Sequence, residues 1–241
     1  MWVCVLFAIS SLLIGVAHSE SVAPLSPISL VASPQSKRLY IAETTSKGVA
    51  VFDMASEKII QTLSVADRPV GLALSPEGRR LYVTSAVPKG IVQVIDLDRL
   101  KVIDRIDVGH TPVAVTVSSS GKTLYVCNQF TNNVSVIDLD LGTQVAVIPV
   151  AREPVAAVLT LDGQYLFVAN HLPMGPTNDE HTASVISIID TVTRRVIKTL
   201  DLPNGSVNLR GMAMSPDGRY VYVTHTLARY QFPVADRKSV V

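Results

Sequence analysis

The 241-residue sequence has little cysteine and no excess of charge of either sign. Its two cysteines, Cys4 and Cys127, are too few for a disulfide framework. The 21 basic and 20 acidic residues leave a net charge of +1, which argues against a nucleic-acid binder or a membrane-surface protein driven by bulk positive charge. Charged residues make up only 17% of the chain and apolar residues 48%, so the chain can bury a core and is not disordered.

The first 19 residues lack Asp, Glu, Lys and Arg, and positions 3–16 are almost wholly apolar. Ala17-His18-Ser19 supplies the small residues of a cleavage site, so 1–19 is predicted to be a secretory signal peptide. The apolar run is shorter than the ~20 residues of a membrane-spanning helix, and an uncleaved anchor is the alternative. We therefore expect an exported protein, periplasmic or extracellular, with no membrane span after cleavage.

The last six residues, 236–241, can be encoded by a nucleotide string that is not typical of a gene. The codons GAT CGG AAG AGC GTC GTG TAG encode these residues and a stop, and that string resembles a widely used sequencing adapter. We interpret 236–241 as a non-native tail and exclude it from reasoning about the fold. The interpretation is wrong if the genomic locus encodes the same residues and stop.

A tripeptide of strand-forming residues recurs through the rest of the chain. The copies are Leu39-Tyr40-Ile41, Leu81-Tyr82-Val83, Leu124-Tyr125-Val126, Leu166-Phe167-Val168 and Val221-Tyr222-Val223. Their central aromatic residues are 42, 43, 42 and 55 positions apart. A Ser-Pro-x-Gly turn or a variant of it precedes each copy, and a β-branched run that ends in Asp follows each of the first four.

Each unit is predicted to form four short strands, called a to d. In the second unit these are Val70–Leu74, Arg80–Thr84, Val92–Leu97 and Lys101–Val108. Four strands in a repeat of about 42 residues select a propeller with one blade per repeat. Four full units and the first two strands of a fifth are present, so we predict an all-β, incomplete propeller over 20–235 with about 4.5 blades. The blades are expected near 22–68, 69–111, 112–153, 154–208 and 209–235.

The repeat resembles that of the YVTN-repeat β-propeller family. The best copies are Leu124–Asn128 and Asn133–Asp138, and the resemblance covers about 22–230. Members of that family usually have seven blades, so the resemblance implies an N-terminal fragment of a seven-bladed propeller. The absence of Trp-Asp dipeptides argues against a WD-repeat propeller, and the absence of a Trp in each blade argues against a quinone-cofactor dehydrogenase.

In a propeller the b–c and d–a loops share the face around the central channel, where ligands or partners commonly bind. The polar residues predicted to lie on that face are Arg68, His110, Asn128, Arg152, Asn170, His171, Asp179, Glu180, His181, Arg210 and His225. The b–c loop of the fourth blade is longer than its counterparts by roughly ten residues, and long loops on a rigid scaffold often carry function.

The histidines of this face have two interpretations. His171, His181 and His225, with Asp179 or Glu180, would line one site that binds a metal or faces a redox partner. Alternatively, they are rim residues that bond to their own loops. No metal spacing such as His-Glu-x-x-His occurs, so we predict no metal site in this chain.

The arginines of the face also have two interpretations. Arg68, Arg152 and Arg210 would attract an anionic ligand to the channel mouth. Alternatively, Asp67 and Glu153 neutralise them in surface ion pairs.

Three functions are compatible with the sequence. The first is an exported binding or scaffold module that takes a protein or a small molecule on its loop face, with no nucleic acid, no cofactor and no catalytic residue in this chain. The second is the propeller part of a periplasmic c-type haem redox protein. The run Val223–Tyr230 resembles propellers fused to dihaem cytochrome c peroxidase-like domains, and a missing C-terminal domain would hold the haem because no Cys-x-x-Cys-His occurs here. The third is a lactonase-type propeller hydrolase, which the chain resembles only at the level of the blade.

Overall fold

The computed structural model describes residues 25–33, 35–175 and 181–227. Within these ranges the chain is all-β, apart from a single 3-10 turn at Gln129–Thr131. No helix in the described ranges is long and apolar enough to cross a membrane. The predicted signal peptide, the tail 236–241, Asp179 and Glu180 lie outside the described residues.

Four antiparallel sheets of four strands follow one another along the described chain, and a two-stranded sheet follows them. Blade one holds β1 (Pro27–Ser33), β2 (Arg38–Glu43), β3 (Gly48–Asp53) and β4 (Lys58–Ser64). Blade two holds β5 (Pro69–Leu74), β6 (Arg80–Ser85), β7 (Ile91–Asp96) and β8 (Lys101–Asp107). Blade three holds β9 (Pro112–Val117), β10 (Thr123–Asn128), β11 (Asn133–Asp138) and β12 (Thr143–Pro149). Blade four holds β13 (Pro154–Leu159), β14 (Tyr165–Asn170), β15 (Val185–Asp190) and β16 (Arg195–Asp201), and blade five holds β17 (Ser206–Met214) and β18 (Val221–Leu227).

The predicted fold class is confirmed. The described residues form an incomplete β-propeller of four blades and half of a fifth. The four strands predicted for the second unit match β5 to β8 to within one residue at each end. The match is close because strand-forming residues alternate with turn residues, and each strand pairs only with its neighbours in sequence.

Alternation along strand b explains the repeated tripeptide. Successive side chains of a strand point to opposite faces of its sheet. Leu81 and Val83 therefore pack against blade one, whereas Tyr82 packs against blade three. All three side chains are fully buried, and burial of one such side chain contributes about 1.5–3 kcal/mol.

Blade five carries the same tripeptide in a different environment. Tyr222 is 61% exposed, whereas Tyr82 and Tyr125, its counterparts in blades two and three, are 1% and 5% exposed. The difference arises because no described strand packs against the outer face of β18. Burial of the aromatic residue thus depends on the next blade and not on the tripeptide itself.

The inner strands β1, β5, β9, β13 and β17 contact one another in chain order around the central channel. Successive strands of each blade run in opposite directions. The a–b and c–d turns therefore lie at one end of a blade, and the b–c and d–a loops lie at the other. We call these the turn end and the mouth end. The turn end includes Ser75–Arg79 and Leu97–Leu100 in blade two, and the mouth end includes Ala86–Gly90 and Val108–Thr111.

Candidate ligand-binding site at the channel mouth

A cavity of about 610 Å³ opens at the mouth end, where the inner strands meet the loops. Its rim carries Arg68, Thr111, Gln129, His171 and Arg210, and its deeper wall is formed by residues of the inner strands. This volume lies within the range of small-molecule sites, about 300–1,000 Å³.

The junction between strand d and the next strand a fixes the backbone of the rim. Arg68, Thr111 and Glu153 each precede a proline and have φ of 52°, 55° and 56°. Residues other than glycine rarely adopt positive φ, and they persist there only where the surroundings hold them. Main-chain hydrogen bonds from the b–c loops hold these residues. Ala86 N donates to Arg68 O at 2.9 Å, Gln129 N to Thr111 O at 3.0 Å, and His171 N to Glu153 O at 2.8 Å.

His171 is held through both its main chain and its side chain. Its main-chain carbonyl accepts hydrogen bonds from Asn208 N at 3.1 Å and from Ser184 Oγ at 2.9 Å. Its Nδ1 lies 2.9 Å from Leu209 O. A carbonyl oxygen can only accept, so Nδ1 carries the proton in this bond and Nε2 is the nitrogen left to bind a ligand.

The rim has an excess of positive charge. No carboxylate occurs among the described residues that line the cavity. Asp67 lies 3.5 Å from Lys47 Nζ, and Glu153 accepts a hydrogen bond from Gln129 Nε2 at 3.0 Å. Neither carboxylate lies within 4.0 Å of Arg68, Arg152 or Arg210. The structure therefore contradicts the predicted ion pairs and leaves the guanidinium groups of Arg68 and Arg210, both exposed, at the cavity.

Two other basic residues predicted for this face, Arg152 and His110, do not line the cavity. Arg152 is exposed and donates from Nη1 to Pro173 O at 3.2 Å. His110 Nδ1 lies 2.7 Å from Thr111 Oγ1, and its ring contacts Phe130 edge-on at 5.4 Å between centroids. Both side chains thus interact with neighbouring loops.

Asn128 and Asn170 were predicted to lie on the loop face, but their side chains lie below it. Both are fully buried at the end of strand b. Asn128 Nδ2 donates to Asn133 Oδ1 and Ser135 Oγ, both at 2.8 Å. Asn170 Nδ2 donates to Val185 O at 3.0 Å and to Ser187 Oγ at 3.1 Å. These amides therefore join strand b to strand c inside the blade.

The histidine cluster is not assembled in the described part of the chain. His181 and His225 are exposed and do not line the cavity that His171 lines. Among the described residues no group of three or more His, Cys, Asp or Glu side chains is placed to hold a metal ion. Asp179 and Glu180, the two acidic candidates, lie outside the described ranges.

Cys127 is buried, as expected for a small residue that fills space in strand b. Burial raises the pKa of its thiol to about 12. The thiolate is the nucleophilic and metal-binding form of cysteine, so this side chain is inert at neutral pH.

Sequence reasoning missed Thr111 and Gln129, although a signal for both was present. Thr111 precedes a proline as Arg68 does, and Gln129 follows Asn128 as His171 follows Asn170. Aligning the repeats by these columns would have placed both residues on the rim.

Comparisons with known proteins agree with the architecture. The profile of a family described as "Lactonase, 7-bladed beta-propeller" matches residues 30–155. Kuenenia stuttgartiensis hydrazine synthase is similar in structure, with a TM-score of 0.79 and 28% identity, over 92% of this chain and 61% of that chain. The β-propeller domain of Myceliophteria thermophila Cps50 (Swd1) is similar in fold, with a TM-score of 0.67 and 16% identity, over 83% of this chain and 63% of that chain.

This chain spans less than two thirds of each of these two solved chains. No curated protein sequence matches it significantly. Because the profile match covers more than half of the sequence, the chain belongs to the lactonase, 7-bladed β-propeller family.

Proposed function

We propose that this chain is a binding module whose channel mouth holds an anionic group. The observation that carries the proposal is the pair Arg68 and Arg210 at a cavity with no carboxylate among its described lining residues. A guanidinium group offers paired donors that match carboxylate, sulfate or phosphate oxygens. The rim backbone is already fixed by the junction bonds, so little main-chain conformational entropy is lost on binding.

The test is calorimetric titration of the full 241-residue chain with sulfate at low ionic strength. Arg68→Gln and Arg210→Gln should each lower the affinity by about tenfold, because a charge-assisted hydrogen bond is lost. Arg79→Gln is the matched control, since it removes the same charge from an exposed position at the turn end. Absence of sulfate binding by the parent chain, or an equal loss in the control, would contradict the proposal.

Lactone hydrolysis is a second candidate, and the family match supports it. His171 is the residue we propose for general-base catalysis, because the bond from Nδ1 to Leu209 O leaves Nε2 to take a proton from water. The full chain would be assayed for lactone turnover with and without divalent metal. His171→Asn should abolish turnover and His110→Asn should preserve it, and no turnover by the parent chain would remove this candidate.

A role in a larger redox enzyme is the third candidate. The similarity to a hydrazine synthase chain supports membership of a larger enzyme, because this chain corresponds to 61% of that chain. Haem cannot attach to the described residues through cysteine pairs, since their one cysteine, Cys127, is buried. Cys-x-x-Cys-His motifs in the gene downstream of residue 235 would support the redox proposal, and a downstream region without them would contradict it.

Export is part of the same proposal and rests on the apolar stretch 1–19. Fractionation of cells that express the full chain, with N-terminal sequencing of the exported product, tests it. We expect a mature chain that begins near Glu20, and retention of the uncleaved chain in the cytoplasm would contradict export.

The partner on the loop face is proposed to be the molecule that carries the anionic group, either a small molecule or a protein.

A further inference from the structure

We infer that the ligand is an amphiphilic anion, with a charged head at the rim and an apolar body along the channel wall. The inference rests on the proposed function, because it assigns a chemical class to the ligand of the same site. It adds a second contact region, formed by strands β5, β9 and β13, which the anion proposal does not use.

The wall below the rim differs in chemistry from the rim itself. On β5, β9 and β13 the lining side chains are all apolar, and they include Val70, Leu72, Val113, Val115 and Val155. None of the described buried polar atoms that lack a partner belongs to a residue of this lining. The side chains of these three strands therefore offer a ligand apolar contact, and Ser29 on β1 is an uncharged polar side chain among the inner-strand residues of the lining.

The wall is deep enough to receive more than a small inorganic anion. Strand a begins at the mouth and runs toward the turn end, so Leu72 and Val115 lie four residues beyond Arg68 and Thr111. Pro69 to Leu72 and Pro112 to Val115 are each three strand steps, about 10 Å when extended, and the pairing of both strands has an irregularity in this stretch. A bare sulfate or phosphate at the rim would leave this apolar surface in contact with water, whereas an attached hydrocarbon chain would cover it.

The cavity volume also favours a small amphiphile. The volume of about 610 Å³ suits a ligand with one charged group and a short hydrocarbon body. Charge complementarity at the rim fixes the orientation, because burying the ionised head against the valines would cost far more than binding it to the arginines.

The test uses a series of linear alkyl sulfonates from methanesulfonate to octanesulfonate, each below its aggregation concentration, with the full chain. The sulfonate head stays ionised throughout, so only the apolar body changes. Affinity should rise by about fourfold for each buried methylene. Each sulfonate should displace bound sulfate, which ties the measurement to the rim.

Two variants separate the wall from the rim. Val70→Thr and Val113→Thr keep the branched shape of the side chain but introduce a hydroxyl, so together they should reduce the gain per methylene and leave methanesulfonate affinity unchanged. Arg68→Gln should lower the affinity of all members of the series equally. Val192→Thr is the matched control, because Val192 is 83% exposed in a turn-end loop, and the melting midpoint of each variant verifies its fold.

The outcomes distinguish the two proposals. If methanesulfonate binds and chain length has no effect, the inference is wrong and the anion site stands. If the gain per methylene is the same in the parent and in the two-valine variant, the inference is also wrong. If no sulfonate and no sulfate binds the parent chain, both proposals fail.

Discussion

The two ends of each blade are built on different principles. At the turn end the same residue types occur at equivalent positions in successive blades. The Asp that ends strand c accepts a main-chain N–H three residues later, as seen for Asp53, Asp96, Asp138 and Asp190. At the mouth end the backbone geometry is repeated, but the residue at the positive-φ junction differs between blades: it is Arg68, Thr111 or Glu153. The mouth end can therefore vary its side chains over a constant backbone, which suits recognition.

The largest expected effect comes from crowding at the mouth end. A Cβ atom added to Gly90 would lie 2.0 Å from Gly109 O and 2.5 Å from Pro112 Cδ. The main-chain atom must move, so Gly90→Ala should destabilise the protein by about 3 kcal/mol in chemical denaturation. Gly163→Ala is the control at the turn end, where no atom lies within 4 Å of the added Cβ and only the φ of 72° is unfavourable.

The control variant Gly163→Ala should lower the free energy of unfolding by only about 1 kcal/mol. Equal losses in the two glycine variants would mean that tight packing is not specific to the mouth end.

A smaller effect is expected from a buried amide at the same end. Asn170→Ala removes the donors to Val185 O and Ser187 Oγ and should lower the free energy of unfolding by about 2 kcal/mol. His225→Ala changes the same position of the repeat in blade five, where the side chain is exposed. That variant should stay within about 0.5 kcal/mol of the parent, and a similar loss in both would contradict the structural role of the amide.

The smallest effect concerns the carboxylates of the turn end and depends on pH. Hydrogen bonds from the Thr193 main chain and hydroxyl lower the pKa of Asp190, and main-chain bonds likewise lower the pKa of Asp53 and Asp96. A lowered folded-state pKa stabilises the protein above the unfolded-state value of about 3.9, and this stabilisation is lost as the pH falls below it.

The melting midpoint should therefore fall as the pH drops below about 4. Asp190→Asn should reduce the drop by about 2 °C, because the amide keeps an acceptor oxygen that does not titrate. Thermal scans between pH 7 and pH 2.5 measure the difference. A steeper acid transition in the variant than in the parent would contradict the assigned sign.

The turn end and the strands were predictable from the sequence because their determinants are local. Alternating apolar residues, Ser-Pro-x-Gly turns and the Asp at the end of strand c act within a few residues of one another. The repeat then predicted the blade, and the strands of the second unit follow it within one residue.

The site was predictable only in part because its determinants are not local. Arg68, His171 and Arg210 lie at the cavity, on the predicted face. The burial of Asn128 and the loop contact of Arg152 depend on where neighbouring strands and loops pass, and the repeat alone does not encode this. Separation of His181 and His225 from the lining likewise follows from the path of the chain around blades four and five.

The packing of blades in chain order has a consequence for synthesis on the ribosome. Each strand pairs only with its neighbours in sequence, and each hydrophobic cluster joins only two consecutive blades. A blade can thus complete its hydrogen bonds as soon as its last strand emerges, and its predecessor is already present to cover one face. Folding from the amino-terminal side would need only short loop closures, and the apolar face of the newest blade would stay exposed until the next blade forms.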